Sequence, residues 1–252
     1  MIAILTGATG GIGIEFLKQL QNEDVDEIWA IARDKKKLET LRKHYGEKVK
    51  PFSVDLSNLE QIKEFGKVLQ EEKPQIKYLI NNAGLGKMGA YKDFSIGELD
   101  RIVNVNSKAP VLLCNLCIPY MKEGSRIVNV SSASAFQPAP YINLYAASKA
   151  FTRSYSRGLN MELKSRGITA TAVCPSWVAT ELLPKELNGK RVKYPGIVTA
   201  DKVAAQALKD AKKGKDMSVY SMFVKSQHLI VKLLPQKLVM KIWLAGIKKY
   251  LG

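Results

Sequence analysis

Two side chains four residues apart carry the most telling chemistry in this sequence. Tyr145 and Lys149, in LYAASKAF, are spaced to share one face of a helix and to reach one cleft. A free phenol titrates near pH ~10, too high for ready proton exchange at neutrality. An ammonium beside it favours the phenolate, which suits the pair to proton transfer at a substrate oxygen. Such a pair needs a second reactant, and two glycine clusters compete to bind it as a nucleotide. Residues 80–89, INNAGLGKMG, satisfy G-x-G-x-x-G at Gly84, Gly86 and Gly89; residues 5–16, LTGATGGIGIEF, do not. Position favours the second cluster. It ends an apolar run and opens a helical pattern, where glycines let backbone N–H groups approach a pyrophosphate and the helix N-terminus favours an anion. After Gly89 no helical pattern starts until about Ser95, so the literal match is a weak signal.

Other chemistries have less support. Cys114 and Cys117 form a C-x-x-C inside an apolar helical stretch, with no second pair and no nearby histidine, and read as buried thiols. The two histidines, His44 and His228, lie in a charged helix and in the C-terminal tail. There is no G-x-S-x-G, and Gly86-Lys87 is followed by Met88, which excludes a P-loop. No metal site is expected.

The elements that must position these residues alternate regularly. Apolar runs at 2–7, 27–33, 49–57, 78–84, 125–132 and 168–176 are separated by helical patterns. The last two of these patterns cover Ala109 to Met121 and about Leu144 to Arg166. This is the signature of βαβ units, and it predicts an α/β fold: a Rossmann-like, doubly wound parallel sheet flanked by helices. With 252 residues, 46% of them apolar, one such domain can bury a full core. We place it at 1–215, followed by a basic amphipathic extension at 216–252. The second strand ends at Arg33, twenty residues after Gly13, where an acid would hold a ribose 2′-hydroxyl. Arginine instead suits a 2′-phosphate, so NADP(H) is preferred and NAD(H) remains an alternative.

These spaced features together resemble the short-chain dehydrogenase/reductase family, over roughly residues 1–215. Its T-G-x-x-x-G-x-G matches Thr6 to Gly13, its N-N-A-G matches Asn81 to Gly84, and its Y-x-x-x-K matches Tyr145 to Lys149. The resemblance implies a reductase or alcohol dehydrogenase in which Tyr145 exchanges the proton and Lys149 binds the nicotinamide ribose. Ser132, thirteen residues before the tyrosine, would hold the substrate oxygen, in preference to Ser131 and Ser134. Asn106 would hold a water linking Lys149 to solvent. Cofactor contacts are expected from Gly7, Thr9, Gly10, Gly11, Ile12 and Gly13, from Arg33, Asp55 and Leu56, and from Asn82, Ala83 and Gly84. Tyr145, Lys149, Val178 and Thr180 complete the set. The family's P-G-x-x-x-T reads Pro175-Ser176-Trp177-Val178-Ala179-Thr180, with serine in the glycine position. The resemblance also implies dimers or tetramers built on the helices near 107–121 and 144–166, and a mobile substrate lid at 183–196.

The net charge of +16 is unevenly spread. Residues 1–184 carry 24 Lys+Arg against 19 Asp+Glu, whereas residues 185–252 carry 15 against 4. From Met217 onward there are six lysines and no acid, interleaved with Leu, Ile, Val, Phe and Trp. This tail either folds back over the substrate cleft or an oligomer interface, or lies on an anionic membrane surface. Both placements suit a lipophilic ketone, steroid-like or of 3-oxoacyl type. Lys185, Lys190, Arg191 and Lys193 in the lid are placed to attract an acidic group on it. The opening MIAILTG reads as a strand, three cysteines do not make a disulfide framework, and no run qualifies as a span, so a cytoplasmic protein is expected, peripheral at the membrane in the second reading. Nucleic acid is disfavoured, because no aromatic array or recognition motif accompanies the charge. The competing function is a catalytically silent protein that senses NADP(H) or docks on membrane or nucleic acid.

Overall fold

The structure, a computed structural model, describes residues 1–250 other than 182, 184 and 188. Six strands and six helices alternate through the first two thirds of the chain. The strands are β1 (Ile2–Thr6), β2 (Glu27–Ala32), β3 (Val49–Ser53), β4 (Ile76–Asn81), β5 (Met121–Val130) and β6 (Thr169–Val173). The helices are α1 (Gly11–Gln21), α2 (Lys35–Tyr45), α3 (Leu59–Glu72), α4 (Ile96–Val103), α5 (Ala109–Cys117) and α6 (Asn143–Glu162). A short hairpin of β7 (Glu186–Leu187) and β8 (Lys190–Arg191) precedes α7 (Ala200–Lys212), β9 (Met217–Ser218), α8 (Met222–Leu233) and α9 (Gln236–Ile247).

The main sheet runs β3-β2-β1-β4-β5-β6-β9, parallel throughout. Both faces are buried, and β1 shows how. Ala3 and Leu5 join Phe16, Leu17 and Leu20 of α1 and Val203, Ala204 and Ala207 of α7. Ile2 and Ile4, pointing the other way, join Phe65 of α3, Leu113 of α5 and Leu159 of α6. A strand covered on both sides has no polar face to spare, hence the nearly unbroken apolar runs in the sequence. Strand order reverses at β1, so a crevice opens between the carboxyl ends of β1 and β4.

Helix starts separate into two kinds. Asp34, Asn58 and Ser95 cap α2, α3 and α4 with side-chain oxygens, and Ser95 forms a capping box with Glu98. α1 begins at Gly10 with no side-chain cap and no acid in its first turn. Its free N–H groups face the crevice at the end of β1.

Two expected boundaries move. The helix expected over 109–121 ends at Cys117 and gives way to a single tight turn at Ile118–Tyr120, then to β5 from Met121. Pro119 has no N–H to continue the helical ladder, which accounts for the early stop. The seventh strand, β9, lies just past the expected boundary at 215, so the sheet takes its edge from the start of the extension and the part outside it begins at α8. Among the described residues no helix is long and apolar enough to cross a membrane.

Candidate active site

The crevice is held together at its base by Thr6 and Asn82. The Thr6 hydroxyl accepts from the backbone N–H groups of Asn82 and Ala83, both at 3.0 Å. The Asn82 amide donates back to the carbonyls of Thr6 and Gly7 at 3.1 and 3.2 Å. Gly7 and Gly11 have positive φ (+64° and +50°), which side chains disfavour. A Cβ on Gly13 would stand 2.0 Å from the Gly7 carbonyl oxygen, whereas one on Gly10 would meet nothing within 4 Å. The turn is therefore crowded inside and open outside, and α1's uncapped N–H groups line the open side. Thr9 and Ile12 complete this turn, with Ile12 packed against the core. These residues fit a pyrophosphate, which would supply the acceptors that no side chain of the first turn provides.

At the neighbouring strand ends, Arg33 is exposed and forms no ion pair among the described residues; its carbonyl accepts from the Ser53 hydroxyl at 3.1 Å. Asp55 is more occupied. One carboxylate oxygen accepts from the Ser57 N–H and hydroxyl, and the other from Arg101 of α4 at 3.2 Å. Leu56 beside it is buried. Val178 is buried and bridges to Val198, while the Thr180 side chain lies over Gly11. Ser176, which replaces the family's glycine, donates its hydroxyl to the Gly196 carbonyl at 2.7 Å and so ties this turn to the next segment.

The Tyr145–Lys149 face of α6 points into the same crevice. Lys149 is buried and donates to the Val130 carbonyl at 2.8 Å, with its ammonium 5.7 Å from the Tyr145 ring centre. Burial lowers the Lys149 pKa to about 8. The Tyr145 hydroxyl is held above its ordinary value by burial, against which a hydrogen bond with Ser132 works in the lowering direction. Desolvation is the larger influence on Tyr145, and the lysine ammonium is bonded to Val130. Ser132 caps the short turn Ala133–Phe136, accepting from the Ser134 N–H at 3.1 Å.

Asn106 is placed by a π-helical turn, Asn104–Lys108, that joins α4 to α5. Its side chain exchanges two 2.8 Å hydrogen bonds with the Leu85 backbone and donates to Ser148 at 3.0 Å, while its carbonyl accepts from Thr152 at 2.8 Å. The amide thus clamps the loop after β4 onto α6. The glycines of INNAGLGKMG are needed for this closeness. A Cβ on Gly84 would press within 3.1 Å of the Lys149 ammonium, and one on Gly86 would lie 3.3 Å from the Tyr145 ring. Gly84 and Gly86 thus pack against the proton-transfer pair, a role that the G-x-G-x-x-G lettering does not convey.

Aromatic contacts that the sequence does not foretell join the tail to the domain. Trp177 stacks on Trp243 of α9 at 6.3 Å between ring centres and packs on Tyr194 at 5.1 Å. Trp243 donates to the Pro140 carbonyl at 2.9 Å, and the Lys193 N–H donates to the Tyr250 hydroxyl at 3.1 Å. On α8, His228 packs on Phe136, whose ring also lies 5.2 Å from the Arg153 guanidinium. The tail therefore packs against the domain, on the segments that flank the turn after Ser132 and the strand end of β6. Lys185, Lys190, Arg191 and Lys193 are exposed along the lid segment; its positions 184 and 188 lie outside the described residues, as do 251 and 252 of the tail. Cys114 and Cys117 are buried thiols in the core, with Cys114 pushed up to about 12 by burial and Cys117 also raised well above the ordinary thiol value by burial.

The short chain dehydrogenase family profile matches residues 1–191. A very-long-chain 3-oxoacyl-CoA reductase of Anas platyrhynchos is 34% identical over 193 residues, which is 71% of this chain and 60% of that protein. The chain thus spans less than two thirds of that relative's length. Among solved structures, a short-chain dehydrogenase from Sphingobium yanoikuyae in complex with NADPH superposes with a TM-score of 0.77 at 25% identity, covering 93% of this chain and 96% of that one. The bulky-bulky ketone specific alcohol dehydrogenase from Comamonas testosteroni gives 0.74 at 25% identity, covering 93% and 95%.

Proposed function

The chain belongs to the short chain dehydrogenase family, an oxidoreductase on a Rossmann-like fold, and on that premise we propose that it interconverts a lipophilic ketone and its secondary alcohol with NADP(H). One observation carries the reading: Tyr145, Ser132 and Lys149 converge beside a glycine turn whose helix N-terminus lacks any cap of its own. A silent binding protein has no use for that convergence.

NADPH, when bound, supplies hydride to the carbonyl carbon. Tyr145 gives its phenolic proton to the carbonyl oxygen, so that hydride and proton together complete the alcohol. Ser132 holds the same oxygen by a hydrogen bond that strengthens as negative charge develops there. Lys149, positively charged below its pKa of about 8, stabilises the phenolate that Tyr145 leaves and reaches the nicotinamide ribose. Asn106 acts through the Leu85 clamp, setting the distance between the loop after β4 and α6. Gly7, Gly10, Gly11 and Gly13 would hold the pyrophosphate, with Thr180 beside them, Asp55 and Leu56 would hold the adenine, and Arg33 would pair with a 2′-phosphate through its planar fork.

The apolar lid of Trp177, Tyr194 and Trp243 favours a bulky, lipophilic substrate, and a 3-oxoacyl derivative or a steroid-like ketone meets that description. Exposed Phe151 and Met161 on α6 support a homodimer or homotetramer built on α5 and α6, the helices near 107–121 and 144–166. The test is a fluorescence titration of the protein with NADPH and NADH, followed by turnover with bulky ketones and 3-oxoacyl thioesters. Tight NADPH binding with NADPH consumption by at least one class supports the reading. Binding of neither nucleotide overturns it.

A further inference from the structure

Helices α8 and α9 each present two different faces. The inner faces are tied to the domain: Val224, Val239 and Ile247 are buried, His228 packs on Phe136 and Trp243 on Trp177. The outer face of α8 carries Met222, Leu229 and Leu233, spaced i, i+7 and i+11, which line up along one side of a helix. Their exposures are 76%, 59% and 74%. On α9, Leu238 and Ile242 are exposed on the side away from Val239 and Ile247, in company with Lys241, Lys248 and Lys249. Lys225, Lys232 and Lys237 flank the same surface, and no acid occurs from Met217 to the last residue.

We propose that this outer face docks the protein on an anionic lipid surface, with its aliphatic side chains in the boundary between headgroups and acyl chains and its lysines on lipid phosphates. The composition selects this occupant. A second copy meeting the same face across a two-fold axis would set lysine against lysine with no carboxylate to intervene. A nucleic acid would use the lysines and leave the aliphatic row in water, where it gains nothing. An anionic bilayer satisfies both, because long lysine stems carry their charge outward while the leucines sink. Neither helix is long enough to cross the membrane, so contact is in the plane of the interface. The inner-face contacts, Trp243 on Trp177 and His228 on Phe136, tie the lipid-facing helices to the segment after β6 and to the turn that follows Ser132. The docking is independent of the catalytic reading and needs no turnover for its test.

The experiment is flotation of the full-length protein with phosphatidylcholine vesicles and with mixed phosphatidylcholine–phosphatidylglycerol vesicles, at low and raised salt. The protein should float with the mixed vesicles only, and less at raised salt. Leu229→Gln with Leu233→Gln should weaken partitioning by about tenfold or more, with an unchanged melting transition. A second variant, Lys225→Gln with Lys232→Gln and Lys241→Gln, should weaken it on the order of a hundredfold. Flotation with neither vesicle overturns the proposal. So does binding that ignores the leucine pair, or a fall from oligomer to monomer in the leucine variant as its only change.

Discussion

In the crevice, a lysine and an asparagine are buried and held by named partners; along α8 and α9, methionine and leucine stand in solvent among lysines. Lys149 has given up water for the Val130 carbonyl, and Asn106 for the Leu85 backbone. Both arrangements cost stability relative to a conventional core and surface. In the first region the cost sets a proton-transfer pair at a fixed separation. In the second it leaves a surface that is complete only against something both apolar and anionic. The contrast teaches that an energetically awkward placement points to use, and that the sort of awkwardness indicates the sort of use.

Substitutions should separate the two regions. The largest effect is expected from Gly13→Ala, whose Cβ would collide with the Gly7 carbonyl at 2.0 Å. Nucleotide binding should be lost outright, as read by calorimetry; Gly10→Ala, whose Cβ meets nothing in the protein but projects into the open side where the pyrophosphate would lie, should leave the fold's melting transition unchanged and weaken nucleotide binding less than Gly13→Ala does. Tyr145→Phe should lower kcat by about 10²–10⁴-fold in steady-state assays with NADPH affinity retained. Equal loss of binding and turnover would make Tyr145 a packing residue. Arg33→Ala should weaken NADPH by roughly 10–100-fold, the worth of a charge-assisted hydrogen bond, and leave NADH nearly unaffected.

Smaller effects concern pH. The Lys149 pKa is lowered in the fold, from 10.5 to about 8, so the unfolded chain binds more protons between these values and stability should rise with pH across that window. Lys149→Met should erase that rise in thermal melts at successive pH values, while abolishing turnover. On the tail, His228 is likewise lowered from 6.5, first by burial and then by Arg153, Lys232 and Arg157. Stability from its docking on Phe136 is present above pH 6.5 and declines as the pH falls through the lowered value. His228→Phe should remove that acid-side decline in the same melts. The sharpest contrast is between Lys149→Met, which silences the enzyme, and the outer-face leucine pair, which should change neither melting nor turnover in vesicle-free solution.

Much of the first region was legible because its signals are local. The glycine turn, the spacing of Tyr145 and Lys149 and the alternation of strand and helix all fall within short windows. What is not local is the setting of the pair: Val130, on β5, accepts from the lysine ammonium, and burial raises the phenol. The Asn106–Leu85 clamp depends on a π-helical turn that has no spelling of its own, and β9 is too short to announce itself. The tail was legible as basic and amphipathic, yet both folding back on the domain and lying on a membrane fitted it, the first better than the second. Its division into an inner face on Trp177 and an outer face in solvent needs the partner surface, which the sequence of the tail does not contain.

The central claim is that Tyr145 and NADPH together reduce a ketone in this crevice. The direct test is incubation of the protein with NADPH carrying deuterium at the transferable position and a bulky ketone, followed by mass spectrometry of the alcohol. Deuterium should appear on the carbinol carbon with the wild-type protein and be lost with Tyr145→Phe. An NADPH-binding protein that leaves every ketone unlabelled, or a Tyr145→Phe variant that labels at the wild-type rate, would contradict it.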